Sequence, residues 1–376
     1  MHIISPYSSG LKLAVAAPSS ASTGVIMSQG VHAKIESWQL DAPSEMTDIG
    51  TELSTKTWLR GAMFPVYWYD HELSPGVFNK TKMQAHYDFC ASRGKMCTFL
   101  ITFTRKFEVD LFSQGNPPLP ADLLTTSGTY SDGSTKYTKM WAFQGRDADQ
   151  GGIFVTKGYN ANLLDATLRT RMLAFLQYVA DNFDGLPYFA GVMIPESASG
   201  TPLDGYVGGN SSDAHFAGLL QLIIGAKQKF KKSQFIADIN ATTAFINDFF
   251  AVPGGHALTH RFPWSSSNMF TVATGNVALV QSKTPSLNGK IWIMSQIQRH
   301  DFDSLDGSIP GTVAPTKEYL YLRARNTHEA THLYVQRTVP SVAPFHWDGF
   351  VSYMDGSPYA SDPYGGLKTT LPDIII

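Results

Sequence analysis

Eight short apolar segments, each bounded by turn residues, constrain the fold of this chain more than any other feature. They are His32–Trp38, Gly61–Trp68, Lys95–Phe103, Phe189–Ile194, Ser233–Asn240, His256–Phe262, Ile291–Gln298 and Thr331–Gln336. Runs of this length and composition read as strands covered on both faces, as in parallel sheets. Stretches with helical periodicity separate most of them. One runs from Lys80 to Ser92, with Asn79 as cap and Gly94 as exit, and Met83, His86, Tyr87 and Cys90 at helical spacing. A second starts at Asn162 and reaches Phe183, with Leu164, Leu168, Met172, Phe175 and Val179 on one face. Two more cover 213–231 and Thr316–Ala330. Eight strands alternating with helices in one uninterrupted unit predict an α/β fold, a single-domain (β/α)8 TIM barrel with long βα loops. A doubly wound sheet is the alternative, disfavoured because no Gly-rich phosphate turn follows any strand.

Residues 1–30, rich in Ser, Ala and Gly, are expected to form an arm or an added strand, and 31–376 the barrel with a C-terminal tail. The stretch 105–160, dense in Pro, Gly, Ser, Tyr and Asp, reads as a long loop, and loops of that length are usually functional. A net charge of -2 gives no electrostatic case for nucleic acid or an anionic membrane. No apolar run reaches transmembrane length, and Leu11–Ala17 lacks the basic start and long core of a signal peptide, which leaves the compartment open. Cys90 and Cys97 read as buried thiols. Aromatic residues make up 12% against 16% charged, a balance that suits stacking on neutral rings such as sugars and a large core equally.

The fourth segment ends in Pro195-Glu196 and a small, polar loop, Ser197–Gly200. In a parallel barrel the C-terminal ends of the strands carry the chemistry, so Glu196 is the first candidate, a general acid whose pKa an apolar strand end raises by desolvation. Its alternative is a carboxylate that accepts loop amides. Asp238 and Asn240 share a strand face by alternation, and in a barrel that face is the lumen. Asp238 is there either a second carboxylate or a buried structural acid bonded to a neighbouring strand, and Asn240 a contact for a sugar hydroxyl. Gln296 and Gln298 also share a parity toward the lumen, Gln298 nearer the exit, and His300 follows in a polar loop. Trp68, Tyr69, Trp141, Trp264 and Trp347 fall at strand ends or in long stretches, where some of them are expected to line a cleft. Glu72 lies beyond its strand, as a positioning group or in a salt bridge with Arg60 or Arg105, and Glu36 reads as a partnered interior carboxylate. No zinc-type spacing and no Gly-x-Ser-x-Gly elbow occurs, so no metal, cofactor or esterase nucleophile is expected.

The segment Tyr67-Trp-Tyr-Asp-His-Glu72-Leu-Ser-Pro-Gly76-Val-Phe-Asn79, leading into a helix and then a strand entered by Gly94-Lys95, resembles a stretch after the second strand in several clan A glycoside hydrolases. The order of the segments is similar too. That resemblance implies a retaining (β/α)8 glycosidase with its acid/base glutamate ending strand four and its nucleophile glutamate ending strand seven. Glu196 matches the first position, although Pro195 stands where the clan usually has Asn. Glutamine, as Gln296 or Gln298, stands at the second, and an amide cannot attack an anomeric carbon. Three readings follow: an inactivated Glu→Gln variant, an enzyme using another carboxylate such as Asp238, or a glycan-binding or structural protein of a virion or cell surface. The expected site is therefore catalytic Glu196, Asp238 and Gln298, with Trp68, Glu72, Asn240, Trp264, Gln296, His300 and Trp347 toward a carbohydrate substrate.

Overall fold

The computed structural model describes residues 26–35, 37–106, 119–131, 133–147, 153–194, 201–205, 212–239, 243–251, 257–261, 282, 292–297, 316–337 and 347–369. Eight parallel strands close into a barrel: β1 (Gly30–Lys34), β2 (Leu59–Tyr67), β3 (Met96–Thr102), β4 (Phe189–Ile194), β5 (Gln234–Asp238), β6 (Ala257–Arg261), β7 (Ile293–Ile297) and β8 (His332–Gln336). Each pairs with its sequence neighbours, and β1 pairs with β8 from Gly30↔His332 to Lys34↔Gln336, which leaves no open edge. All eight segments expected from the sequence are strands, and the (β/α)8 barrel is the fold observed. The helices packed around it include α1 (Pro43–Thr55), α2 (Thr81–Ala91), α3 (Ala166–Phe183), α4 (Ser212–Lys227), α5 (Thr243–Ala251), α6 (Lys317–Leu322) and α7 (Trp347–Gly356).

The packing explains why the strands read as continuously apolar. One face of each turns to the helices and the other to the lumen, so both are covered. Between barrel and helices, α3 lays Leu168, Met172, Phe175, Leu176, Val179 and Phe183 against β-strand residues such as Phe99 and Phe189, all buried. Side chains of that size stabilise by about 2 kcal/mol each when fully buried. The helix is started by Asp165, whose carboxylate accepts the Leu168 amide at 2.9 Å, and not by Asn162. At α2 the expected cap does act, since Asn79 Oδ1 accepts the Thr81 amide at 2.9 Å. Cys90 and Cys97 are free and buried. In β4, Gly191 has a φ of +134°, and a Cβ there would run into the Gln234 backbone of β5, so the close approach of these two strands requires glycine.

At the described end of the N-terminal segment, the Ile26 amide donates to the Lys232 carbonyl at 2.8 Å, and Ser28 and Gln29 are fully buried. One expectation changes. The stretch after β3 is in large part a folded sheet and not a long loop. Its strands Thr104–Lys106, Met140–Asp147 and Ile153–Ala161 are antiparallel, and a fourth, Thr201–Pro202, joins them from the connection after β4. A hairpin, Thr126–Thr129 with Thr135–Tyr137, accompanies it. Turn-forming residues here sit within and between strands, which is why composition alone suggested a loop.

Candidate active site at the barrel mouth

The lumen is built in layers set by strand alternation. At its floor, Ser28 Oγ lies 3.0 Å from His332 Nε2, and the Ser28 carbonyl accepts from His32 Nε2 at 2.9 Å. The two imidazoles stack with centroids 5.8 Å apart. A carbonyl can only accept, so His32 carries its proton on Nε2. Burial, with the Arg60 and Lys95 charges adding to it, pushes the pKa of His32 down to about 3, and burial beside His32 holds that of His332 well below the ordinary value. Both rings are therefore neutral. Above them Met63, Met193, Ile236, Met294 and Tyr334 pack with Leu100 into an apolar layer, and Trp292, just before β7, packs against the His332 ring. The Tyr334 hydroxyl lies 3.2 Å from Thr98 Oγ1, and burial raises its pKa.

Two residues further along three of these strands the lumen turns polar again. Lys34 Nζ donates to Gln296 Oε1 at 2.9 Å, and Gln296 Nε2 donates to Asp238 Oδ2 at 2.9 Å. β6 lies between β5 and β7, and β8 between β7 and β1, so these contacts are made inside the barrel by side chains all facing the lumen. The alternation argument for Asp238 and Gln296 thus holds. Asp238 is 1% exposed and bonded to a residue two strands away. Lys34 is the member of this group that the sequence reading passed over, although a lysine in an otherwise apolar strand, at the parity of His32, was the available signal. Both ends of the Gln296 amide are engaged, its oxygen by a cation and its nitrogen by a carboxylate, so this glutamine bridges opposite charges at the C-terminal end of the lumen.

Glu196, Asn240, Trp264, Gln298 and His300 lie outside the described residues, as does Glu36. β4 ends at Ile194, and the chain is next described at Thr201, where it enters the added sheet beside Gln144. Three other expected ligand contacts sit in the core and present almost no surface. Trp68 is 0% exposed, stacks against Phe175 and donates from Nε1 to Glu72 Oε2 at 2.6 Å. Glu72, 3% exposed, also accepts from the Gly76 amide at 2.7 Å and from Arg171 Nε at 2.8 Å. A cationic partner is thus Arg171 of α3, which ties Glu72 in turn to Asp122, while Arg60 donates instead to the Met27 carbonyl and the Arg105 side chain lies outside the described residues. Trp347, 2% exposed, opens α7 and donates to Glu52 Oε1 at 3.0 Å, while Glu52 also pairs with Arg337. The expectation that Trp68 and Trp347 face a cleft is corrected by this burial: their large rings fill space between barrel and helices, and their indole N–H groups find carboxylates, the buried Glu72 and the partly buried Glu52. Trp141 is likewise buried, in the added sheet.

Tyr67, the last residue of β2, and Tyr69 are, among the described residues, partly exposed aromatics near this rim, stacked with centroids 5.4 Å apart. Among the described residues, no group of three or more His, Cys, Asp or Glu is placed to hold a metal ion, and no helix is long and apolar enough to cross a membrane.

No protein-family model and no curated protein matches the chain. Solved structures do. The catalytic domain of a β-amylase from Paenibacillus polymyxa superposes with a TM-score of 0.53 at 10% identity, covering 82% of this chain and 92% of that one. Endo-glycoceramidase II from Rhodococcus sp., in complex with a five-membered iminocyclitol, gives a TM-score of 0.52 at 14% identity, covering 86% of this chain and 76% of the other. Identities this low speak to architecture: the chain shares the α/β barrel fold on which these glycosidases are built.

Proposed function

We propose that this protein is a glycoside hydrolase acting on an oligo- or polysaccharide, with Glu196 as general acid/base and Asp238 as the second carboxylate. The observation that carries the reading is the convergence of Lys34, Gln296 and Asp238 at the C-terminal end of the lumen. That is the rim toward which β4 runs, ending two residues before Glu196 in sequence. Charged groups gathered at this end of a parallel barrel are where such folds place chemistry. Glu196 protonates the departing glycosidic oxygen as the sugar develops oxocarbenium character. Asp238 attacks the anomeric carbon if the two carboxyl groups stand about 5 Å apart, or activates a water if they stand roughly 6.5–9.5 Å apart. The reaction needs no cofactor.

The test is release of reducing ends from a panel of neutral oligo- and polysaccharides. Glu196→Gln is expected to lower kcat by about a hundredfold or more while glycan binding persists. Cleavage at the wild-type rate by that variant removes the acid assignment. A second reading, glycan binding without cleavage, is favoured by one observation: Gln296, a neutral amide, occupies the last lumen position of β7. It predicts binding and no cleavage of any panel member by the wild-type chain.

A further inference from the structure

We propose that Lys34 is a positioning residue that, through the Gln296 amide, fixes the Asp238 carboxylate as a hydrogen-bond acceptor at the barrel mouth. This rests on the proposed function insofar as Asp238 is a reacting group there. A primary amide has a donor end and an acceptor end of nearly the same shape, and packing alone does not choose between them. Lys34 does choose. An ammonium can only donate, so the amide oxygen must face it, and the 2.9 Å contact between Lys34 Nζ and Gln296 Oε1 is the result. The NH2 group is then left to point at Asp238, which it meets at Oδ2 at 2.9 Å. The orientation of the carboxylate on β5 is thereby set by a cation on β1, across a lumen position held by β7. A carboxylic acid offering its own O–H to Gln296 would need the amide reversed, and Lys34 opposes that.

The surroundings make this directional effect strong. The layer directly beneath offers Met63, Leu100, Met193, Ile236 and Met294, which cannot compete for the amide, and Tyr334, whose hydroxyl is engaged with Thr98. Hydrogen bonds to charged groups in such surroundings are stronger than in water and less easily exchanged. Lys34 is half-buried and the Asp238 side chain buried, so the chain runs from the open side of the mouth inward.

The experiment pairs two readouts on the full chain. The first is the side-chain NH2 resonance pair of Gln296 in 15N-labelled protein, assigned by its loss in Gln296→Met. In the wild type this pair should be resolved and slow to exchange with water. Lys34→Met should speed its exchange by about tenfold or more, and Lys34→Arg should restore most of the protection. The second readout, on any glycan the wild type cleaves, is a split between constants. Lys34→Met should lower kcat by about tenfold to a hundredfold with KM within about twofold, again recovered in part by Lys34→Arg. If Lys34→Met does not fold, Lys34→Gln, which can donate and accept and so no longer dictates direction, replaces it with the same expectations. An unchanged Gln296 signal in the Lys34 variant overturns the inference whatever the activity. So does an altered signal with unchanged kcat. If the wild type cleaves no glycan, the proposed function falls, and the resonance alone decides whether Lys34 orients the amide.

Discussion

The floor and the mouth of the barrel are both polar, yet they solve burial in opposite ways. At the floor, Ser28, His32 and His332 form a neutral set, each imidazole kept by burial from taking a second proton. At the mouth, a lysine and an aspartate are joined by one amide. Between them stands a single apolar layer of methionines, Leu100, Ile236 and Tyr334. Along β1 the change takes two residues, from His32 to Lys34. The lesson is that the lumen is not uniformly apolar: its closed end holds polar groups that burial keeps uncharged, and its open end brings a lysine and an aspartate together through one glutamine.

The hardest way to break this contrast is to put a charge on the floor. His332→Lys is expected to cost more than about 4 kcal/mol, or to prevent folding, because a buried ammonium there finds no counter-charge. Asp238→Asn at the mouth keeps an acceptor for Gln296 and should cost only about 1 kcal/mol. Urea titration of both variants checks the pair, and equal losses would erase the distinction. Acid attacks the floor more gently. A histidine whose folded pKa lies below its unfolded value binds more protons when unfolded, so its contribution is complete above about pH 6.5 and is lost as pH falls toward the folded value. For His32, lowered to about 3, the share lost between pH 7 and pH 5 is about 2 kcal/mol. His86, lowered to about 3, and His215, lowered to about 4, add to the same slope through burial. His32→Asn should flatten that slope, as urea titrations at the two pH values would reveal. The smallest change sharpens the contrast from outside the barrel. Trp347→Phe removes the hydrogen bond to Glu52 and should cost about 1.5 kcal/mol while leaving glycan affinity by calorimetry unaltered. Weakened affinity would return Trp347 to the cleft.

The barrel was legible because its pattern is local. Each strand, such as Phe189–Ile194, shows its two-sided burial in its own composition, and α3 shows its buried face through Leu168, Met172, Phe175 and Val179 at helical spacing. Alternation within a strand also sufficed to turn Asp238 and Gln296 into the lumen. What was not legible depends on partners far along the chain. Trp68 and Trp347 looked like platforms because the sequence does not reveal that their indoles turn inward to meet Glu72 and Glu52. Arg171 lies far along the chain from Glu72, so the ion pair was assigned to nearer arginines. The sheet after β3 was hidden for the same reason: Gly, Asn and Asp in and around Met140–Asp147 and Ile153–Ala161 read as turns, and only the antiparallel pairing of the two segments identifies them as strands. Three helices, α1, α5 and α7, were also passed over. α5 and α7 are short, and α1 opens Pro-Ser-Glu and is dominated by polar residues, which mutes its periodicity.

That sheet has a bearing on how the molecule comes into being. Three of its strands are translated before β4, but the one that closes its edge, Thr201–Pro202, follows β4 in the chain. During synthesis the row of backbone groups around Ala142–Gln144 must wait for the whole of α3 and β4 to emerge before it is paired. Long-range pairing of this kind is slow, and an unpaired edge is an invitation to other chains. The connection that carries Glu196 is thus bracketed by the last barrel strand to precede it and by the stitch that ends this vulnerable interval.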